Sequence, residues 1–140
     1  MKVKRSKPET PSGNSGGLNP LEHVEAYASQ AFEFCKNGEV ESAIAALGKA
    51  LSLDPRNELA LILRGSLWMN QGHPRKAIGD LSKALDVNSG NADAYSQRAR
   101  AHQSLGHPWA AIADYSRAIR LEASHREALI CLALGHRVGS

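Results

Sequence analysis

The chain repeats itself with a period of 34 residues. Gly38, Gly72 and Gly106 fall in step, and so do Ala43, Ala77 and Ala111, each followed directly by Ile44, Ile78 and Ile112. Leu47, Leu81 and Tyr115 come next, then Ala50, Ala84 and Ala118, then Leu51, Leu85 and Ile119. Upstream in each unit stand Tyr27, Leu61, Tyr95 and, a fourth time, Leu129; Ala31, Gly65, Ala99 and Ala133 follow four residues later. A period of this length marks a stacked array, because so short a unit cannot bury its apolar face alone and must cover it with its neighbours.

Inside each unit the apolar spacing is helical. Tyr27, Ala31 and Phe34 stand at i, i+4 and i+7, as do Ala43, Leu47 and Ala50. Each unit is therefore two helices. Gly38, Gly72 and Gly106 sit between them, where a chain leaving a helix adopts a left-handed residue. Pro74 and Pro108 suit the first turn of the next helix, where a missing N–H costs nothing. Asp54-Pro55 stops the second helix of unit one. The pattern predicts helices over 21–37, 41–53, 58–71, 74–87, 92–105, 108–121 and 126–137. That is an all-α chain of three helix–turn–helix repeats, about 24–57, 58–91 and 92–125, with a final unpaired helix over 126–137.

Composition bounds the rest. Residues 1–20 hold Lys2, Lys4, Arg5 and Lys7 against Glu9, so the net charge of +3 lies in this segment while the remaining 120 residues balance. Three prolines, three glycines and three serines there, with almost nothing apolar, predict a disordered basic tail ahead of a domain over 21–138. A neutral body does not suit a nucleic-acid surface, and no apolar run is long enough to span a membrane. Cys35 and Cys131 read as reduced, part-buried thiols rather than a disulfide framework. This places the chain inside the cell, in the cytoplasm, with the nucleus as the alternative if Lys4-Arg5-Ser6-Lys7 acts as an import signal; chance occurrence of such tetrapeptides favours plain solubility.

The residues that recur at this period resemble the tetratricopeptide repeat family. Its offsets carry Tyr27, Gln30-Ala31, Phe34, Ala43, Leu47, Ala50 and Pro55 in unit one. Unit two carries Leu61, Arg64-Gly65, Trp68, Ala77, Leu81 and Ala84, and unit three Tyr95, Arg98-Ala99, His102, Ala111, Tyr115 and Ala118. The family's usual leucine is replaced by Gln30, Arg64 or Arg98, and its closing proline by Ser89 and Ala123 in units two and three. The resemblance implies a right-handed superhelical solenoid that binds another protein, without catalysis or cofactor. It also implies that the first helices line a concave groove. The stripe facing it would hold Glu25, Ala28, Phe32 and Lys36, then Leu59, Ile62, Ser66 and Asn70, then Asp93, Ser96 and Arg100, with Glu127, Ile130 and Leu134 beyond.

Phe32, Leu59 and Ile62 are apolar on a face that packing of the repeats does not call for, which suits a peptide or helix with an apolar anchor. Relatives that bind heat-shock chaperones hold the terminal carboxylates with Lys and Asn from unit one, Asn from unit two, and Lys and Arg from unit three. The matching positions here are Ala28, Phe32, Leu63, Asp93 and Gln97, and Asp93 would repel a carboxylate; the resemblance therefore argues against a chaperone tail as partner.

Other chemistry finds little support. Six histidines and two cysteines lack the close pairing that zinc requires. His73 and His107 occupy equivalent turns, and His102 takes the packing offset of Phe34 and Trp68. No nucleophile motif, phosphate loop or acid–base pair appears. Asp80 with Lys83, and Asp114 with Arg117, read as solvated i, i+3 pairs. Finally, residues 129–134 are six consecutive apolar residues, more than one helix face needs. They read as the first helix of a fourth hairpin, completed either by a longer chain or by self-association through Leu129, Leu132 and Leu134 in a homodimer. The runner-up reading of the whole chain is accordingly a self-associating structural subunit.

Overall fold

The computed structural model describes residues 19–134. Six α-helices follow one another: α1 (Pro20–Lys36), α2 (Val40–Leu53), α3 (Glu58–Asn70), α4 (Pro74–Val87), α5 (Ala92–Ser104) and α6 (Pro108–Leu134). α1 pairs with α2, α3 with α4, and α5 with α6; between hairpins, α2 packs on α3 and α4 on α5, and α3 also touches α5. The result is a helical-repeat solenoid. No helix among the described residues is long and apolar enough to cross a membrane. The expected disorder of the tail falls on residues outside those described, except that Asn19 caps α1 and Pro20 is its first residue.

Local chemistry sets the helix starts. Asn57 caps α3 by accepting from the Ala60 N–H at 2.9 Å, and Asn91 caps α5 by accepting from the Ala94 N–H at 3.0 Å. These two caps stand one period apart. Unit one has His23 at that offset and instead starts a turn earlier. There Asn19 accepts from the Glu22 N–H at 2.8 Å while Glu22 Oε1 accepts from the Asn19 N–H at 3.0 Å, a reciprocal capping box. The interhelix turns are uniform, with Gly38, Gly72 and Gly106 at φ of 78°, 78° and 76°. A side chain is strained in that region, and glycine is not.

The two expected helices over 108–121 and 126–137 are one continuous helix, α6. The reason lies in residues 122–125. Unit one stops its second helix at Asp54-Pro55 and unit two at Asn88-Ser89-Gly90, whereas Glu122-Ala123-Ser124-His125 contains neither proline nor glycine. His125 also stands where Asn57 and Asn91 would cap a new helix. With nothing to stop it, α6 runs straight through.

Alanine dominates the core. Ala43, Ala50, Ala77, Ala84, Ala94, Ala99 and Ala101 are fully buried, and so are Leu47, Leu61 and Leu81. Small residues let the helix axes approach, and each of these leucines contributes about 2 kcal/mol by leaving water. Burial falls into two clusters. One is built on units one and two around Leu47, Leu51 and Leu61, with Phe34 packed against it. The other is built on Leu81, Leu85 and Ala94, with Trp68 and Tyr95 against it. Phe34 and Trp68 thus pack as the repeat offset predicts. Cys35, expected to be part-buried, is exposed, because it lies about 100° round α1 from Phe34. The side chain of Cys131 lies outside the described residues.

Candidate protein-binding groove

The residues expected on the groove stripe divide by exposure. Glu25, Phe32, Lys36, Leu59, Asn70, Asp93 and Arg100 are exposed, while Ala28, Ile62, Ser66 and Ser96 are half-buried. Phe32 is 48% and Leu59 54% accessible, which is high for large apolar side chains. Ile62 departs from the expectation that packing does not need it. It lies against both core clusters, because it stands at the seam between them on α3. At the far end of the stripe Glu127 is exposed and Ile130 is 51% accessible. The side chains of Leu129, Leu132 and Leu134 lie outside the described residues.

Units two and three are joined along this face. Ser66 Oγ on α3 donates to Gln97 Oε1 on α5, and Gln97 Nε2 donates to Asp93 Oδ2 at 2.8 Å. The polar end of the stripe is therefore ordered by its own hydrogen bonds. A second bridge closes the inter-unit turn: Glu58 Oε2 accepts from Asn88 Nδ2 at 3.0 Å and from Asn91 Nδ2.

Two charged pairs correct the surface reading of Asp80 and Asp114, which are 5% and 6% exposed. Asp80 accepts from Arg64 Nε at 2.7 Å and Nη2 at 2.8 Å, and Asp114 binds Arg98 in the same way. Lys83 and Arg117, three residues away along the helix, are exposed, and Arg117 lies over the Tyr95 ring at 5.8 Å. The hydrogen bonds that Arg64 and Arg98 donate to Asp80 and Asp114 raise the pKa of the two arginines, against the opposing effect of burial. The arginines that replace the family's leucine are thus held inside the repeats, and Arg98 also donates to Ser82 at 3.1 Å. The signal was present in the sequence: Arg64 with Asp80 and Arg98 with Asp114 are each sixteen residues apart, and unit one lacks both partners, having Gln30 and Ala46.

His102 is half-buried at the offset of Trp68. Its pKa is lowered, first by burial, with Arg98 and His107 acting in the same direction against Asp114. Its Nδ1 lies 3.4 Å from that of His107, and its Nε2 3.9 Å from Asp114 Oδ2. Among the described residues no three histidine, cysteine or acidic side chains converge.

A profile of the tetratricopeptide repeat matches residues 24–57 and 92–125, the first and third units. The chain belongs to the tetratricopeptide repeat family. Solved structures of the family superimpose on it. The second tetratricopeptide domain of human RPAP3, solved in complex with the HSP70 peptide SGPTIEEVD, matches with a TM-score of 0.73 at 22% identity; the match covers 82% of this chain and 96% of that one. MamA gives 0.73 at 24% identity over 79% of this chain and 64% of its own. The tetratricopeptide domain of Arabidopsis OM64 gives 0.72 at 23% identity over 75% and 87%. At these identities the likeness establishes the fold alone. No curated protein matches the chain in sequence. The middle unit, 58–91, falls outside the profile match.

Proposed function

We propose that this tetratricopeptide array is a protein-interaction adaptor that takes a peptide or helix of a partner on the stripe formed by its first helices. The observation that carries the reading is the exposure of Phe32 and Leu59 at 48% and 54% on that stripe. Large apolar side chains left in water on one face offer anchor contacts to an incoming chain. Toward unit three the stripe turns polar: Ser96 and Arg100 offer hydrogen-bonded and charged contacts, and Asp93, which already accepts from Gln97, adds negative charge.

Peptide capture by the human RPAP3 domain gives precedent for a groove of this kind, but the terminal-carboxylate grip does not transfer. Ala28 and Phe32 stand where the resemblance puts a unit-one Lys and Asn in chaperone-binding relatives, Leu63 packs against the core, and Gln97 is already engaged by Ser66 and Asp93. Asp93 adds a negative charge where a carboxylate would sit. The occupant is better served by an internal segment with an apolar anchor than by an acidic chain end. No catalytic role is assigned to any residue, and the reduced state expected of the thiols suits an adaptor of the cytoplasm.

Selection from a displayed peptide library tests the reading. Binders should be enriched in one large apolar residue, and Phe32→Ser with Leu59→Ser should weaken them by roughly ten- to a hundredfold while thermal unfolding is unchanged. Binders indifferent to the double substitution would place the site elsewhere.

A further inference from the structure

A second apolar face left open among the described residues lies on α6. Ile112 and Ile119 are 52% and 66% exposed. Ile112 stands at the offset of Ile44 and Ile78, and Ile119 at that of Leu51 and Leu85. In units one and two those residues are packed: Leu51 and Leu85 are 8% and 6% exposed, and Ile44 and Ile78 lie against the two core clusters. They are packed because the first helix of the next unit lies on the second helix of the one before, α3 on α2 and α5 on α4. In unit three the residues that continue the first-helix pattern, Leu129 and Ala133, belong to α6 itself. A continuous helix advances about 1.5 Å per residue and cannot lay residues 126–134 back on residues 108–121.

We propose that a second copy of this chain covers the face. The two α6 helices lie antiparallel, and residues 126–134 of each copy occupy on the other the place that α5 takes on α4. The exchange is two-fold, so each copy receives what it lends. The α4–α5 packing supplies the register. There Arg98 meets Ser82, and one period further on Ser116 stands opposite the partner's Leu132, which puts the two-fold axis at Ser124.

Three features of α6 agree with this placement. Ile112, Ser116 and Ile119 are spaced by four and three, a single seam over the stretch of α6 that the partner covers. The residues at the axis, Ala123 and Ser124, are small and exposed, which permits close approach. Charge is complementary at the flank: Arg120 falls beside the partner's Glu127, and both are exposed in the single chain.

Sedimentation equilibrium of the 140-residue chain tests the proposal. Between ~1 and ~100 µM the mass should rise from 15.0 kDa toward twice that value. Ile112→Glu with Ile119→Glu should weaken association at least ~100-fold. Its helicity should be retained, since both side chains are exposed. Arg120→Glu and Glu127→Arg provide a check that does not depend on the apolar variant folding: each alone weakens association and the two together restore it. A monomer throughout the range would overturn the proposal, whether or not the face binds some other protein. So would association indifferent to the isoleucine variant, or charge reversals that do not compensate each other.

Discussion

Arg98 and Asp114, sixteen residues apart, meet as a two-pronged ion pair, with Nε donating to Oδ2 at 2.8 Å and Nη2 to Oδ1 at 2.9 Å. One unit earlier Arg64 and Asp80 do the same at 2.7 and 2.8 Å. The repeat uses either both members or neither, since Gln30 and Ala46 take these places in unit one. A planar guanidinium and a carboxylate that satisfy each other can sit between paired helices where either alone would be costly.

Removing one member should therefore hurt more than removing both. Asp114→Ala leaves Arg98 part-buried without its acceptor and should cost about 2 kcal/mol in urea unfolding. Adding Arg98→Leu, the family's residue, should recover at least half of that loss. A double variant no more stable than the single one would show that the pair does more than neutralise itself.

Two glycines should respond to alanine with opposite signs. Gly72 has φ of 78° with open space around it, so Gly72→Ala pays only for the backbone, about 1 kcal/mol. Gly79 lies inside α4 with nothing within 4 Å of an added Cβ, and Gly79→Ala should stabilise by about 0.5–1 kcal/mol. Gly65→Ala forms a third case. Its Cβ would stand 2.9 Å from Leu81 Cγ, a fully buried side chain, and overpacking of about 1–3 kcal/mol outweighs the gain in helix propensity. Chemical denaturation of the three variants ranks them directly.

His102 sets a pH dependence. Burial lowers its pKa below the ordinary 6.5, so the folded chain binds fewer protons there than the unfolded one. Stability from this group is complete above about 6.5 and is lost as pH falls through the lowered value. His102→Phe, which copies Phe34, should lower the melting temperature less than the parent chain when pH drops from about 7.5 to 5. Equal falls would assign the acid sensitivity to other groups.

The period made the hairpins legible, because the same small residues and turn glycines recur in each unit. It also misled in one place. Projecting the repeat onto residues 122–125 implied a break, although no proline, glycine or asparagine there could make one. The ion pairs were hidden by proximity along the chain, since Lys83 and Arg117 are nearer in sequence to the aspartates than the arginines that hold them. Exposure along the groove stripe was harder still to read. Leu59 and Ile62 are equally apolar, and what separates them is that Ile62 lies on the seam between two clusters, a property of the stack rather than of its own helix.

Each helix of this array rests chiefly on its neighbours in chain order, and that has a mechanical meaning. No strand or disulfide among the described residues staples one end to the other. Tension applied to the two ends is therefore carried through the interhelical packing in series, and the weakest interface yields first. Each hairpin that lets go releases one period of chain, roughly 110–120 Å when extended, while the units behind it keep their shape. A chain pulled from both ends should therefore lengthen in steps of one period, which force spectroscopy on a tethered molecule would read directly.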